Sequence, residues 1–234
     1  MKNAFRTALV GIFVLFTTMV FAQQSENRTV TSFNAIKASG IFEVILQQGN
    51  DEALKIEATN IELNKIVTRV SENTLILEME KREGNNWNPG KDIKVKVYIT
   101  FEQLNSIENS GVAEIKANSP IKTDKLNLQV SGAGNVKLDL DVADLTVKVS
   151  GAGNMELKGR AQNQQVSLSG AGNIRADELK GESVEVSLSG AGNAEVYASK
   201  SITAKASGVG HIRYKGNPAQ VKISESGFGK VSAQ

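Results

Sequence analysis

The residues best suited to chemistry in this chain are carboxylates set among lysines. Asp139, Asp141, Asp144, Glu156, Asp177, Glu178, Glu185 and Glu195 crowd one stretch, with Lys137, Lys148 and Lys158 between them. Two such acids at the right separation hydrolyse glycosidic bonds, one as acid and the other as base or nucleophile. Their setting argues for a plainer role. They alternate with apolar residues, as the solvated outer face of a strand does. A catalytic cluster should break that regularity, and these positions keep it. Other catalytic sets lack their members. The chain has no cysteine and one histidine, His211, so cysteine nucleophiles are excluded and a zinc site is starved of ligands. No catalytic, metal or cofactor-binding residue is assigned on these grounds.

Asparagine is the other polar residue that recurs at fixed spacing. Asn135, Asn154, Asn173 and Asn193 each close a pentapeptide Ser-Gly-Ala-Gly-Asn. Relaxed copies follow at Ser207-Gly208-Val209-Gly210-His211 and Ser226-Gly227-Phe228-Gly229-Lys230, and a degenerate one begins at Asn109-Ser110-Gly111. Successive Ser-Gly pairs from Ser110 stand 21, 19, 19, 20, 18 and 19 residues apart. So steady a period marks a stacked unit in which each repeat touches only its neighbours. The Gly-x-Gly turns precede no helical pattern, so they are not phosphate loops. The calcium-binding nonapeptide repeat fails too, wanting Asp and a shorter period.

What must position these residues is a set of short strands. Leu145-Thr146-Val147-Lys148-Val149 alternates before one turn, and Val136-Lys137-Leu138-Asp139-Leu140 alternates after another. Period two puts one face inward and the other outward. The fold class is therefore all-β, a β-solenoid of stacked ~19-residue coils. With coils about 4.8 Å apart, equivalent residues lie one above another. The four asparagines are then expected to form an amide ladder, or alternatively a ligand-binding stripe, with the serines as a hydroxyl ladder beside them. Glycine is expected to supply positive φ at the corners. Ala133, Ala152, Ala171 and Ala191 are expected to point inward where the corner is narrow.

Before Ser110 strands continue less regularly, as in Leu75-Ile76-Leu77-Glu78-Met79 and Ile93 to Ile99, while 60–67 reads as a helical turn or an irregular connection. The segment 83–90 is a loop carrying Trp87, the sole tryptophan and a candidate contact for sugar or protein. At the start, Lys2 and Arg6 precede an apolar run from Ala8 to Val20 and small residues ending at Ala22. That is a signal-peptide pattern, too short for the ~20 residues of a membrane span. Residues 1–22 are expected to be removed, leaving 23–234 as one domain, irregular through 108 and regular from 109, with no membrane span. The chain holds 27 basic and 25 acidic residues; without Lys2 and Arg6 the balance is 25 to 25. A neutral chain with no basic stripe has no electrostatic basis for nucleic-acid binding.

The opening Phe33-Asn34-Ala35-Ile36 with Ser39-Gly40-Ile41-Phe42-Glu43-Val44, the Ser-Gly-Ala-Gly-Asn series and the closing Ile212-Arg213-Tyr214-Lys215-Gly216-Asn217-Pro218 together resemble a known family. It is the "putative autotransporter-adhesin, head GIN domain" family of exported Bacteroidetes proteins. The resemblance implies a single-stranded, right-handed parallel β-helix, in the periplasm or at the cell surface. The leading expectation is a non-enzymatic surface or envelope module of adhesion type, binding a protein, a glycan or a second copy of itself. Periplasmic sensing or scaffolding, and a polysaccharide-active enzyme on the same scaffold, stand as alternatives. The last coil, ending near Gln234, is expected to pair with an N-terminal strand or to self-associate.

Overall fold

The computed structural model describes residues 23–80 and 93–234; the leader expected at 1–22 and the loop with Trp87 lie outside these residues. Alternation is realised most fully in β11 (Ala133–Val149), β12 (Ala152–Leu168), β13 (Ala171–Leu188) and β14 (Ala191–Ala206). In β11, Val136, Leu138, Leu140, Val142, Leu145, Val147 and Val149 are buried, while Lys137, Asp139 and Lys148 face solvent. Each strand pairs in parallel with its equivalent one coil on, so that Asn135 lies beside Asn154 and Val147 beside Val166.

The interior is a set of aliphatic columns. One runs Leu128, Val147, Val166, Val186, Ala204, and another Val136, Met155, Ile174, Ala194, Ile212. All are buried, and removing a side chain of this size from water contributes about 1.5–3 kcal/mol. The result is a β-solenoid of about 7 turns with ~19-residue spacing. Two polar side chains enter the columns among the described residues, Asn109 beside Val130, and Gln164. Gln164, stacked on Leu145, donates Nε2–H to the carbonyls of Ala161 and Leu179, both at 3.2 Å, beside the point where the extra residue of β13 shifts the register.

The N-terminal end is built differently. β2 (Ala35–Ser39) and β3 (Ile41–Gln48) form the first coil, beneath β8 (Ser106–Asn109) and β9 (Val112–Ala117). On their other side they pair with β6 (Thr74–Met79) and β7 (Lys94–Phe101). Antiparallel strands then close this end. β5 (Ile66–Ser71) forms a hairpin with β6 over a turn in which Glu72 and Asn73 take φ of 50° and 57°. β4 (Ala53–Thr59) pairs with β7, and β1 (Gln24–Arg28) with β4. The segment after Asn60 makes one 3-10 turn, Leu63–Lys65.

Three expectations about corners and ends are corrected. Ala152, Ala171 and Ala191 are exposed and Ala133 half-buried; their column, which includes Val112, Val209 and Phe228, points outward. The serines form no hydroxyl ladder. Ser131 and Ser169 donate instead to the backbone carbonyls of Asn109 and Val149 in the coil before, at 3.4 Å, so each hydroxyl is satisfied by main chain rather than by the next serine. Nor does the last coil pair with an N-terminal strand. β16 (Gln220–Glu225) pairs with β14, and β17 (Phe228–Ala233) with β15 (Val209–Lys215), whereas β1 is held by β4 at the opposite end of the stack.

Glycine at the corners answers to contact as much as to φ. At four of the turns the second glycine takes positive φ, as with 147° at Gly134 and 157° at Gly192. The first is different. A Cβ on Gly151 would collide with the carbonyl oxygen of Gly132, one coil away. Corner backbones stack so closely that no side chain fits between them.

Candidate functional site

The asparagine row is spent on itself. Nδ2 of Asn154 donates to Oδ1 of Asn135 at 3.3 Å, Asn173 to Asn154 at 3.1 Å and Asn193 to Asn173 at 3.0 Å. The row ends where the backbone N–H of His211 donates to Oδ1 of Asn193 at 3.2 Å. Each inner amide gives one hydrogen bond and takes one, which ties neighbouring coils in register.

Most of the coil carboxylates are also committed to lysine or arginine, largely in other coils, while Asp144 accepts from Asn163 Nδ2 at 2.8 Å. Lys137, Glu156, Lys158 and Glu178 form a chain with contacts of 3.2, 3.2 and 2.9 Å. Asp177 meets Lys215 at 2.6 Å, Glu195 meets Arg213 at 2.8 Å, and Asp141 takes Arg160 at 2.9 Å. The Lys137 and Lys158 ammoniums hold the Glu156 carboxyl below its ordinary range, and Lys215 does the same for Asp177 against the opposing effect of burial. In the first coil Lys116, then Lys96, lowers Glu43. A general acid for glycoside cleavage needs the reverse, a carboxyl raised by burial or by a neighbouring acid. Among the described residues no three His, Cys, Asp or Glu side chains gather as metal ligands.

The repeat is broken at one corner of the early coils, and there a groove of about 1120 Å³ opens. It is framed by the turn after β3, the turn between β7 and β8, and the first residues of β10 (Ile121–Val130). Later coils run as unbroken strands of 16 to 18 residues past the same corner. Gln48 holds the floor together. Its Nε2 donates to the carbonyls of Glu102 and Lys122, both at 3.0 Å, and its Oε1 accepts the Lys122 N–H at 2.8 Å. Thr123 Oγ1 donates to Asn105 Oδ1 at 3.2 Å across one wall. By contrast the side chains of Asn50, Glu102, Gln103, Lys122, Asp124 and Lys125 are exposed and bonded to no other described residue. Sequence reasoning missed this groove. Its only trace was turn residues at Gly49-Asn50 and Ser119-Pro120 where later coils have strand.

Taken together, the amide row and the ion pairs tie the coils into a repeat scaffold, interrupted at one corner by this groove. The chain matches the family model described as "Putative auto-transporter adhesin, head GIN domain" over residues 32–218, and it belongs to that family. A solved structure from Bacteroides fragilis, described as a "putative adhesin", is 30% identical and superposes with a TM-score of 0.84, covering 91% of this chain and 97% of its own. A "putative adhesin" from Parabacteroides merdae shares the fold at 22% identity and TM-score 0.70, over 91% and 96%. So does a "putative lipid binding protein" from Parabacteroides distasonis, at 20% and 0.69, over 90% and 96%. No curated protein matches the chain.

Proposed function

We propose that this protein is a non-enzymatic, exported binding module of adhesion type, working at the cell envelope. The observation that carries the reading is the commitment of the coil carboxylates. Glu156 and Asp177 are each paired with lysine across coils and held ionised, which suits cohesion and unsuits acid catalysis. Membership of a family described as adhesin heads supports binding as the role. Export rests on the leader pattern of residues 1–22. Among the described residues no helix is long and apolar enough to cross a membrane.

Protease treatment of intact cells tests the location. Loss of the protein is the outcome expected of a surface adhesin. Protection until the outer membrane is opened would remove adhesion and favour sensing or scaffolding in the periplasm. Incubation with polysaccharides tests the chemistry. Release of new reducing ends, abolished by changing one outward carboxylate, would replace the binding module with an enzyme.

A further inference from the structure

We propose that the groove framed by Gln48, Asn105 and Thr123 binds a neutral oligosaccharide through its hydroxyl groups. The inference rests on the binding-module reading and assigns that module a site and a ligand class.

Availability is the first argument. Along the regular coils most carboxylates meet a base in another coil, as Glu185 meets Lys205 at 3.1 Å and Glu182 meets Lys200 at 2.6 Å. In the groove Glu102, Lys122, Asp124 and Lys125 have no such partner among the described residues. Their hydrogen-bonding capacity faces water, free to be exchanged for a ligand's.

Preorganisation is the second. The Gln48 side chain cross-links the segments at Glu102 and Lys122, and the Gln48 N–H donates to Ser119 Oγ at 3.2 Å. The Gly49 N–H is held by the carbonyl of Phe101 at 2.9 Å. The frame is fixed before a ligand arrives, which lowers the ordering cost of binding.

Chemistry of the lining selects the ligand. No aromatic or large aliphatic side chain lines the groove; Pro120 is its sole apolar ring. A protein partner is anchored by buried aromatic or aliphatic residues, which this groove would leave unmatched. Nucleic acid needs a surplus of positive charge, and here two acids offset two lysines. Carboxylates that accept from hydroxyls, with ammonium and amide groups that donate to them, match a hydroxyl-rich, uncharged molecule. Without an aromatic platform each site binds weakly, and many copies on one surface would supply avidity.

The test is saturation-transfer NMR on the purified protein with neutral tetrasaccharides of glucose, mannose, galactose and xylose. Transfer to at least one of them is expected. The double variant Glu102→Ala with Asp124→Ala should weaken it about tenfold or more, since each charge-assisted bond lost is worth enough for that. Glu185→Ala, on a different face, should leave it unchanged, and thermal melts should show both variants folded. No transfer to any neutral sugar, transfer only to anionic ones, or binding unaffected by the double variant would each overturn the assignment. None of these outcomes bears on the cellular location, so the envelope reading stands or falls separately.

Discussion

The carboxylate of Glu225 accepts the backbone N–H of Val231 at 2.6 Å, reaching from β16 to β17 across the end of the core. Glu225 continues a column that is apolar in earlier coils, above Leu168, Leu188 and Ala206. Beside it Val221 and Ile223 are 45% and 47% exposed, and Phe228 is 80% exposed. An inward-pointing charge is one of the devices that blunts an open strand edge. Glu225→Leu removes the charge, frees the Val231 N–H and extends the apolar end. Sedimentation velocity should then show stronger concentration-dependent association than in the unmodified protein. Equal behaviour of the two over the same concentrations would mean Glu225 guards nothing.

Stacking at the corners predicts a sharp contrast between adjacent residues. A Cβ at Gly151 has no room beneath it, whereas Ala152 already carries one into solvent. Gly151→Ala should cost about 3 kcal/mol or more by overpacking against backbone. In a domain of this size that lowers Tm by roughly 6–12 °C. Ala152→Ser should stay within about 0.5 kcal/mol. Comparable melts for the two variants would contradict the close stacking.

The strands predict a similar contrast. Val147 is fully buried between Leu128 and Val166, and Lys148 beside it is exposed. Val147→Glu places an unpaired carboxylate among aliphatic columns and should destabilise by about 4 kcal/mol or more. Lys148→Glu should change stability by no more than about 0.5 kcal/mol. Urea denaturation of the pair measures both.

Coil period, strand alternation and column membership were legible in the sequence because a parallel stack maps sequence spacing directly onto space. The asparagine spacing placed Asn154 beside Asn135 before any coordinates did. Side-chain direction at the corner was misread, although a signal was present. A column holding Val112, Ala133, Val209 and Phe228 varies too much in size for a narrow interior corner, while solvent tolerates any size. The antiparallel cap was hidden for another reason. β4 and β7 alternate as the coil strands do, and period two says nothing of strand direction. The groove was hidden because Gln48, Glu102 and Lys122 lie in three separate stretches, at the end of β3, just after β7 and at the start of β10, each beside a turn that reads alone as ordinary punctuation.

Cross-coil pairing gives stability a defined pH profile. Glu43, Glu156 and Asp177 have carboxyls lowered by lysine from ordinary values of 4.5, 4.5 and 3.8. Their contribution is present above the unfolded values and is lost as pH falls through the lowered folded ones. Lys116 and Lys215 are raised above 10.5 by Glu43 and Asp177, and Lys158 by Glu178 and then Glu156; their contribution is present below that value and is lost as pH rises through the raised folded ones. Tm should therefore be flat across neutral pH and fall at both extremes, with the plateau lower in 1 M salt, which screens exposed pairs. Lys215→Met isolates one pair. At pH 7 the variant should melt below the unmodified protein, because Asp177 loses its 2.6 Å partner. That gap should close toward acid, where Asp177 is protonated in both proteins, and again in strong alkali, where Lys215 loses its charge. A gap that stays constant across pH would show that the Lys215 stem acts by packing, and that the pairing of Asp177 contributes nothing.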